Sequence, residues 1–319
     1  MKKSFINVLL ALCVSAVFSC GALAAEWPAK PVTLLCGYSA GGSSDLQCRY
    51  LASALEKELG VPVVVQNMPG GSGWISWNAL AAAAPDGYTF ALVNLGIVTG
   101  QYSKETPRDK KQDSFELLAC HVVDPMALCM HTNEERFTDF MSFVKFGKEN
   151  PVIMPSNGMA QLNPHATFFK LMKDHYGIDI AKVPVNGSKE NETMFLSGDT
   201  DLFLAALGDC INGLKNKSYK LVAVFSDKEP SDFPDAPLIG NVSDVNLTMS
   251  TYRGYAFPLG VDKEIVAKMS AALEKVIKSE ELIAKIHSMN ADTYYMDGAE
   301  FKKRMVGEID MRRKLEGLM

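Results

Sequence analysis

Two loops rich in glycine and serine carry the residues of this chain that are best suited to bind a ligand. The first follows the apolar run Val32–Cys36 and reads Tyr38-Ser39-Ala40-Gly41-Gly42-Ser43-Ser44. The second follows Val152–Met154 and contains Ser156-Asn157-Gly158. Each loop is expected to open a helix, so free backbone N–H groups and the positive end of a helix dipole would meet at one point. Such points attract anions, and two of them suggest a clamp for a small acid with two anionic ends.

Two polar side chains stand at the starts of these predicted helices. Asp45 can stabilise the first turn of its helix, order the loop before it, or pair with a ligand amine or a bound water. His165 can form a hydrogen bond at the start of the second helix or contact a ligand. The sequence leaves these alternatives open for both residues.

Trp74 and Trp77 follow the glycine-rich stretch Gly70–Gly73 and are three residues apart on a predicted helix. Aromatic residues at helical spacing usually pack in a core. At a glycine-rich helix start they can also form the wall of a small-molecule pocket, which is the alternative.

The sequence lacks the patterns that are typical of catalysis and of cofactor binding. The first loop has neither G-x-G-x-x-G spacing nor the Gly-Lys-Ser/Thr ending of a P-loop, and Trp74 stands where a nucleophile elbow needs glycine. None of the five histidines has metal-ligand spacing to a carboxylate or a thiol. We therefore predict no catalytic residues, no metal and no cofactor. The alternative is an enzyme that acts on a small acid through Asp45 or His165.

Strand-like apolar runs alternate with helical stretches from Val32 to about Val224, which predicts an α/β fold with parallel sheets. Two short apolar runs, Leu117–Cys120 and Met126–His131, are expected to carry the chain into a second lobe, and a strand at Tyr252–Pro258 to carry it back. Two linkers between the lobes permit hinge closure around a ligand. Further helices are predicted at Phe137–Lys148, from about Pro164 to Gly177, and at Lys263–Ile277, Ser279–Met289 and Gly298–Leu318.

Residues 1–25 have the pattern of a secretory signal peptide. Lys2-Lys3 precedes the apolar run Ile6–Phe18, and Ala22-Leu23-Ala24 is a small-x-small cleavage site, so we expect cleavage near Ala24/Ala25. With 32 basic and 37 acidic residues and no basic run, the chain is not expected to bind nucleic acid. No later segment has eighteen uninterrupted apolar residues, so no membrane span is predicted.

The cysteines left after such a cleavage are odd in number and form no C-x-x-C pair, so buried thiols are favoured over a disulfide framework. One disulfide stays open, as does lipidation of Cys20 in a segment that loosely resembles a lipobox. The five cysteines concerned are Cys36, Cys48, Cys120, Cys129 and Cys210.

From Trp27-Pro28 to its C-terminus the chain resembles the extracytoplasmic solute receptors of the tripartite tricarboxylate transporter family, the Bug proteins. Each matching motif is weak by itself, but together and in this order they are specific. They are Tyr38-x-Ala40-Gly41-Gly42-x-x-Asp45, Pro62–Gly70, Pro85-Asp86-Gly87-Tyr88-Thr89, Val183-Pro184-x-x-Gly187-Ser188, Leu196-x-Gly198-Asp199-x-Asp201-Leu202 and Arg253-Gly254.

The resemblance implies a type II periplasmic binding protein with two α/β lobes and the ligand in the cleft between them. Lobe 1 would comprise residues 26–125 and 251–319, and lobe 2 residues 126–250. Such a receptor, expected to be a monomer, would deliver an organic acid to a membrane permease of two other subunits. A ligand-sensing subunit for a membrane kinase is an alternative that the sequence does not separate from transport.

Both loops and their surroundings are therefore expected to supply the ligand-binding residues. The second loop departs from the family pattern, and two tryptophans stand where small residues are usual, so we expect an acid with an apolar or aromatic body to bind better than citrate. The expected binding residues are Tyr38, Ser39, Ala40, Gly41, Gly42, Ser43, Asp45, Trp74, Asn94, Asn157, Gly158, Met159, Gln161, His165 and Arg253.

Overall fold

The structure of the protein, a computed structural model, describes residues 26–99, 112–156, 162–185, 188–289, 291, 293–315 and 317. The predicted signal peptide lies outside the described residues. So do Asn157, Gly158, Met159 and Gln161 of the second loop.

Within the described residues, strands and helices alternate as the sequence predicts, and the α/β class is confirmed. The prediction of mainly parallel sheets is wrong for the larger sheet, which is mixed, because β4, β9 and β10 run antiparallel to their neighbours. The strands are β1 (Val32–Cys36), β2 (Val63–Asn67), β3 (Thr89–Val93), β4 (Phe115–His131), β5 (Ile153–Ser156), β6 (Ala181–Pro184), β7 (Leu202–Ala206), β8 (Tyr219–Val224), β9 (Ser250–Pro258) and β10 (Thr293–Asp297). The helices are α1 (Ser43–Leu59), α2 (Trp74–Ala82), α3 (Gly96–Thr99), α4 (Phe140–Glu149), α5 (Pro164–Asp174), α6 (Ser188–Leu196), α7 (Leu207–Lys215), α8 (Ile239–Val242), α9 (Lys263–Ile277), α10 (Glu280–His287) and α11 (Gly298–Leu315).

The strand β4 belongs to two sheets. Its first part, up to Pro125, pairs with β9 and β10 in the larger sheet, whose order is β10-β4-β9-β3-β1-β2. Its second part, from Met126, lies between β7 and β8. The two apolar runs that the sequence separates are thus joined in one strand of 17 residues. The polar residues and the proline between them interrupt the apolar pattern without ending the strand.

Strand directions place the carboxyl ends of β1 and β3 next to each other. β1 pairs in parallel with both β2 and β3, and β5 pairs in parallel with β6. β9 runs antiparallel to both β3 and β4, because it brings the chain back from the second group of strands. The sequence predicts β9 but not β10, which pairs with β4 at the sheet edge.

Helix ends follow from local chemistry. α1 turns Cys48, Leu51 and Leu55 into the core and ends at Gly60, which adopts the left-handed conformation (φ 71°) and donates its N–H to the carbonyl of Glu56. α5 begins with proline at its first position, and the side chain of Asn163 caps it. The predicted C-terminal helices are present as α9, α10 and α11.

The last helix, α11, links two parts of the core. Phe301, Met305 and Ile309 pack beneath the larger sheet with Trp74 and Trp77. At the end of the helix, Leu315 packs against the apolar cluster around α5, which includes Phe168 and Met172. α11 therefore contacts the hydrophobic residues on both sides of the β4–β9 region.

All five cysteines of the described chain are buried and carry free thiols, as the sequence predicts. No helix of the described residues is both long and apolar enough to cross a bilayer.

Gly298, where α11 begins, lies against the backbone of β4. A Cβ atom at this position would be 1.9 Å from the carbonyl oxygen of Leu117 and 2.7 Å from its carbon. Since both atoms belong to a central strand, they cannot move aside cheaply. We expect Gly298→Ala to lower the free energy of unfolding by about 1–3 kcal/mol, the range for overpacking, in urea denaturation.

Gly307 of the same helix is the matched control, because a Cβ there would meet nothing within 4 Å. Gly307→Ala should stabilise the protein by up to about 1 kcal/mol through helix propensity. Equal effects of the two substitutions would contradict the packing argument.

Candidate functional site

The loop between β1 and α1 is held from behind by the carboxylate of Asp45. Oδ2 accepts hydrogen bonds from the backbone N–H of Gly41 (2.8 Å) and from Nε of Arg49 (3.0 Å), and Oδ1 accepts one from Nδ2 of Asn67 (2.8 Å). Asn67 Nδ2 also donates to the carbonyl of Tyr38 (3.0 Å). With only 1 % of its surface exposed, Asp45 orders the loop rather than facing the solvent.

These bonds also fix the charge of Asp45. Burial disfavours the ionised form, but the hydrogen bonds from Arg49, Gly41 and Asn67 favour it more, and the pKa of Asp45 is held below its ordinary value. The other side of the loop, Ser39–Ser43, is exposed. Gly41 adopts φ 80°, a conformation that glycine enters freely and that brings its N–H back to Asp45.

A cavity of ≈ 280 Å³ lies beside this loop. It brings together residues from four separate segments: the first loop, the end of β3, the start of α5 and the first half of β9. Its lining residues are Tyr38, Ser44, Leu92, Asn94, Leu95, Pro164, Ser250, Thr251, Tyr252 and Arg253. Of the residues expected to bind ligand, Tyr38, Asn94 and Arg253 stand on its wall.

Arg253 lines this cavity and is partly buried. Its Nη1 atom is inaccessible to solvent and has no hydrogen-bond partner among the described residues. Burial and, second, the positive charge of Arg253 lower the pKa of the neighbouring His121 to about 3, so the imidazole is neutral and adds no charge. A buried N–H of a cation without an acceptor is costly, so the geometry favours an anion in the cavity.

Tyr38 and Asn94 form a hydrogen-bonded pair on the wall of the same cavity. Nδ2 of Asn94 donates to the hydroxyl of Tyr38, while Oδ1 of Asn94 accepts from the N–H of Gly96 at 2.8 Å. Burial raises the pKa of Tyr38, so its hydroxyl stays protonated at neutral pH. Because that oxygen already accepts from Asn94, its own O–H is left to donate to a ligand.

His165 lies in the core rather than on the cavity wall. Its backbone N–H donates to the Oδ1 of Asn163 (2.9 Å), which caps α5. The imidazole is 4 % exposed and its ring lies 6.4 Å from that of Phe169. Burial lowers the pKa of His165 to about 4, so the ring is neutral at neutral pH. It is Pro164, its neighbour, that lines the cavity.

Trp74 and Trp77 are core residues and do not line the cavity. Their rings meet edge to face, with centroids 5.1 Å apart, and Nε1 of Trp77 donates to the carbonyl of Leu92 at 2.9 Å. The close approach of Gly73 to the ring of Trp77 turns α2 toward β3. Of the two alternatives for Trp74, the structure shows core packing and not a place in the wall of the cavity.

Sequence reasoning missed several residues of the cavity wall, above all Ser44, Thr251 and Tyr252. Ser44 lies in the first loop, and Thr251 and Tyr252 directly precede Arg253. The only sequence signal for these three residues was that each is close in sequence to a residue that was expected to bind ligand. Strand alternation alone would put Tyr252 and Arg253 on opposite faces, which is why the sequence does not group them.

A family model described as "Tripartite tricarboxylate transporter family receptor" matches residues 47–315. A Cupriavidus necator protein described as "UPF0065 protein in gbd 5'region" is 24% identical over 286 residues, which are 88% of this chain and 84% of that protein.

Solved structures show the same fold. A TctC solute binding protein from Polaromonas, solved without ligand, superposes with a TM-score of 0.81 at 22% identity and covers 92% of this chain and 100% of that chain. An R. palustris protein with adipate gives a TM-score of 0.74 at 20% identity, covering 92% of this chain and 98% of that chain.

The hydrogen bonds of Asp45 predict a pH dependence of stability. Because its folded-state pKa is lowered, the carboxylate stabilises the fold above the unfolded-state value of about 3.9, and this contribution is lost as the pH falls through the folded-state pKa. Asp45→Asn should cost about 1–3 kcal/mol at pH 7 and should flatten the loss of stability below pH 4. Urea denaturation between pH 7 and pH 3 measures both effects.

Asp179→Asn is the control, since that exposed carboxylate pairs only with Lys173 on the surface. If the free energy of unfolding of Asp45→Asn falls between pH 7 and pH 3 by the same amount as that of the wild type, Asp45 does not have the role assigned to it.

Proposed function

The chain belongs to the tripartite tricarboxylate transporter family of receptors, and we propose that it captures a small carboxylate in the cavity between the first loop and α5. The family is one of periplasmic solute-binding receptors rather than enzymes. We also propose which residues of this member hold the acid and how its two lobes respond to capture.

The buried Nη1 of Arg253 is the observation that carries the proposal. It is an unused donor of a positive charge, and it belongs to a side chain that lines the cavity. Since Nη1 is covered in the structure, we propose that the side chain turns toward the ligand when it binds. A carboxylate oxygen would accept that hydrogen bond and neutralise the charge, and hydrogen bonds between charged groups are the strong ones. The bound acid would have its second donor in the hydroxyl of Tyr38.

The first loop supplies further donors. α1 begins at Ser43 after Gly42 with no side-chain cap, so its first-turn N–H groups are available to an anion. Asp45 holds this loop in place without its charge facing the ligand. A cavity of ≈ 280 Å³ suits a small molecule rather than a peptide.

The apolar part of the cavity wall bears on ligand type. Leu92, Leu95 and Pro164 line it together with the ring of Tyr252. We therefore retain the proposal that an acid with an apolar body binds better than citrate, with these residues in place of the tryptophans. A monocarboxylate or a dicarboxylate such as adipate, found with one structural relative, meets both requirements.

Ligand capture would be followed by closure of two lobes, residues 26–125 with 251–319 and residues 126–250. The change of partners along β4 between Pro125 and Met126 supports a hinge there. The closed receptor would then present the acid to the subunits of a membrane permease.

Replacement of Arg253 tests the ligand site. Isothermal titration calorimetry with adipate, malate and citrate should show that Arg253→Met weakens binding of the preferred acid by about 10- to 100-fold, since a charged hydrogen bond contributes about 1.5–3 kcal/mol. Arg136→Met is the matched control, because Arg136 pairs with Glu134 and Asp201 away from the cavity. NMR of the incubated acid should show it unconverted.

Unchanged affinity in Arg253→Met would contradict the proposed site. Tighter binding of citrate than of adipate and malate would contradict the proposed ligand type. A product that accumulates with time would favour the enzyme alternative.

Export of the protein is a separate proposal that rests on the signal-peptide pattern of residues 1–25. Intact-mass spectrometry of protein from the periplasmic fraction should give a chain that begins near Ala25. A chain that retains Met1 would contradict export, and a lipid on Cys20 would contradict cleavage near Ala25.

A further inference from the structure

Glu308 and Arg312 form a buried ion pair on α11. They lie one helical turn apart, and Arg312 is 0% and Glu308 4% exposed. Removing two charges from water is expensive, and their mutual attraction rarely exceeds that cost. A contribution to stability alone is therefore a weak explanation for this pair. The other hydrogen bonds of Glu308 and Arg312 indicate what else the pair does.

Those hydrogen bonds lead to two segments that border the ligand cavity. Arg312 Nη1 donates to the carbonyl oxygen of Leu162 at 2.8 Å, while Nη2 donates to Glu308. Oε1 of Glu308 accepts the backbone N–H of Ser250 at 2.8 Å, and Oε2 accepts the hydroxyl of Tyr252. Ser250 and Tyr252 line the cavity, and Leu162 stands two residues before Pro164, which also lines it.

The Leu162 peptide controls where α5 begins. Leu162 has φ 63°, in the left-handed region that a leucine rarely adopts. Its side chain is fully buried in the cluster that contains Trp74 and Ile309. The next residue, Asn163, caps α5. An unfavourable backbone conformation at this point needs a partner to hold it, and Arg312 supplies one through the Leu162 carbonyl.

We propose that Glu308 and Arg312 are positioning residues for ligand binding. Arg312 acts through Leu162 to fix the start of α5, and Glu308 acts through Ser250 and Tyr252 to fix the adjoining wall of β9. Neither residue touches the ligand. This inference rests on the proposed function, since it assigns the two segments to the site that binds the acid.

The double variant Glu308→Gln/Arg312→Met separates positioning from stability. The oxygen of the neutral glutamine can still accept the N–H of Ser250, and its NH2 group can donate to the hydroxyl of Tyr252. The donor to the Leu162 carbonyl is lost. Because both charges are removed together, no lone charge stays buried, and the loss of Tm should not exceed that expected from the one lost hydrogen bond to Leu162. Adipate should bind about tenfold more weakly, with a faster dissociation rate and an unchanged association rate in stopped-flow tryptophan fluorescence.

Amide hydrogen exchange of the ligand-free protein gives a second readout. Exchange should accelerate only in residues 162–168, where the N–H groups of His165 and Thr167 depend on Asn163. A merely structural pair would instead alter protection throughout the core. Lys302→Met is the matched control on the same helix, since it breaks the exposed ion pair with Asp113, and it should leave both readouts unchanged.

Arg312→Lys keeps a buried charge and serves if the double variant does not fold. One ammonium group cannot reproduce the forked contact with both Glu308 and Leu162, so adipate should bind more weakly than to the wild type and exchange at residues 162–168 should be faster than in the wild type.

Wild-type affinity for adipate or wild-type exchange at 162–168 in a folded variant would overturn the inference. If the wild type binds none of adipate, malate and citrate, the proposed ligand class fails. The exchange comparison then still decides whether Arg312 fixes the Leu162 segment.

Discussion

The antiparallel pairing of β4 with β9 is the constraint on which the other features depend. Its register sets Val122 opposite Arg253 and Pro125 opposite Ser250, and so decides which part of β9 borders the cavity. β4 then continues beyond this pair to form the centre of a second group of strands. Both groups of strands are therefore joined through β4. The proposed ligand, bound beside β9, would lie close to the place where the chain passes from one group to the other.

Buried charge is treated in two contrasting ways around this ladder. Asp45 and the Glu308–Arg312 pair each have several hydrogen-bond partners, and each holds a segment that borders the cavity. Arg253 has a buried nitrogen with no partner among the described residues. Nε of Arg312 is likewise buried without a partner in the described part of the chain, but both terminal nitrogens of Arg312 are bound and hold the framework. The terminal nitrogen of Arg253 instead retains the free energy of pairing for the proposed ligand. The difference between the two kinds of charge is what makes a preorganised anion site.

Sequence reasoning reached the fold and the first loop because these depend on local signals. Apolar periodicity and helix-ending glycines such as Gly60 define elements within a few residues. The side to which Trp74 turns depends instead on how closely α2 approaches β3, which no local pattern records. Glu308 and Arg312, four apart in a polar helix, read as a surface pair; their burial depends on segments far away along the chain. Arg253 could be named as a candidate, but its lack of a partner needed the surrounding atoms.

The double membership of β4 also bears on how such a chain can change in length over evolution. Side chains alternate along a strand, so inserting or deleting one residue within Phe115–His131 would move the following side chains to the opposite face of the sheet unless a bulge absorbs the change. β4 already has one residue more than β9 at two such places, between Leu117 and Ala119 and between Cys120 and Val122. A lone loop tolerates such a change, but this strand has paired neighbours on both sides around Ala119–Val122 and again around Ala127–Met130. Changes in the length of β4 are therefore expected only where a bulge can take them up, and other insertions should be found in the loops that join the elements.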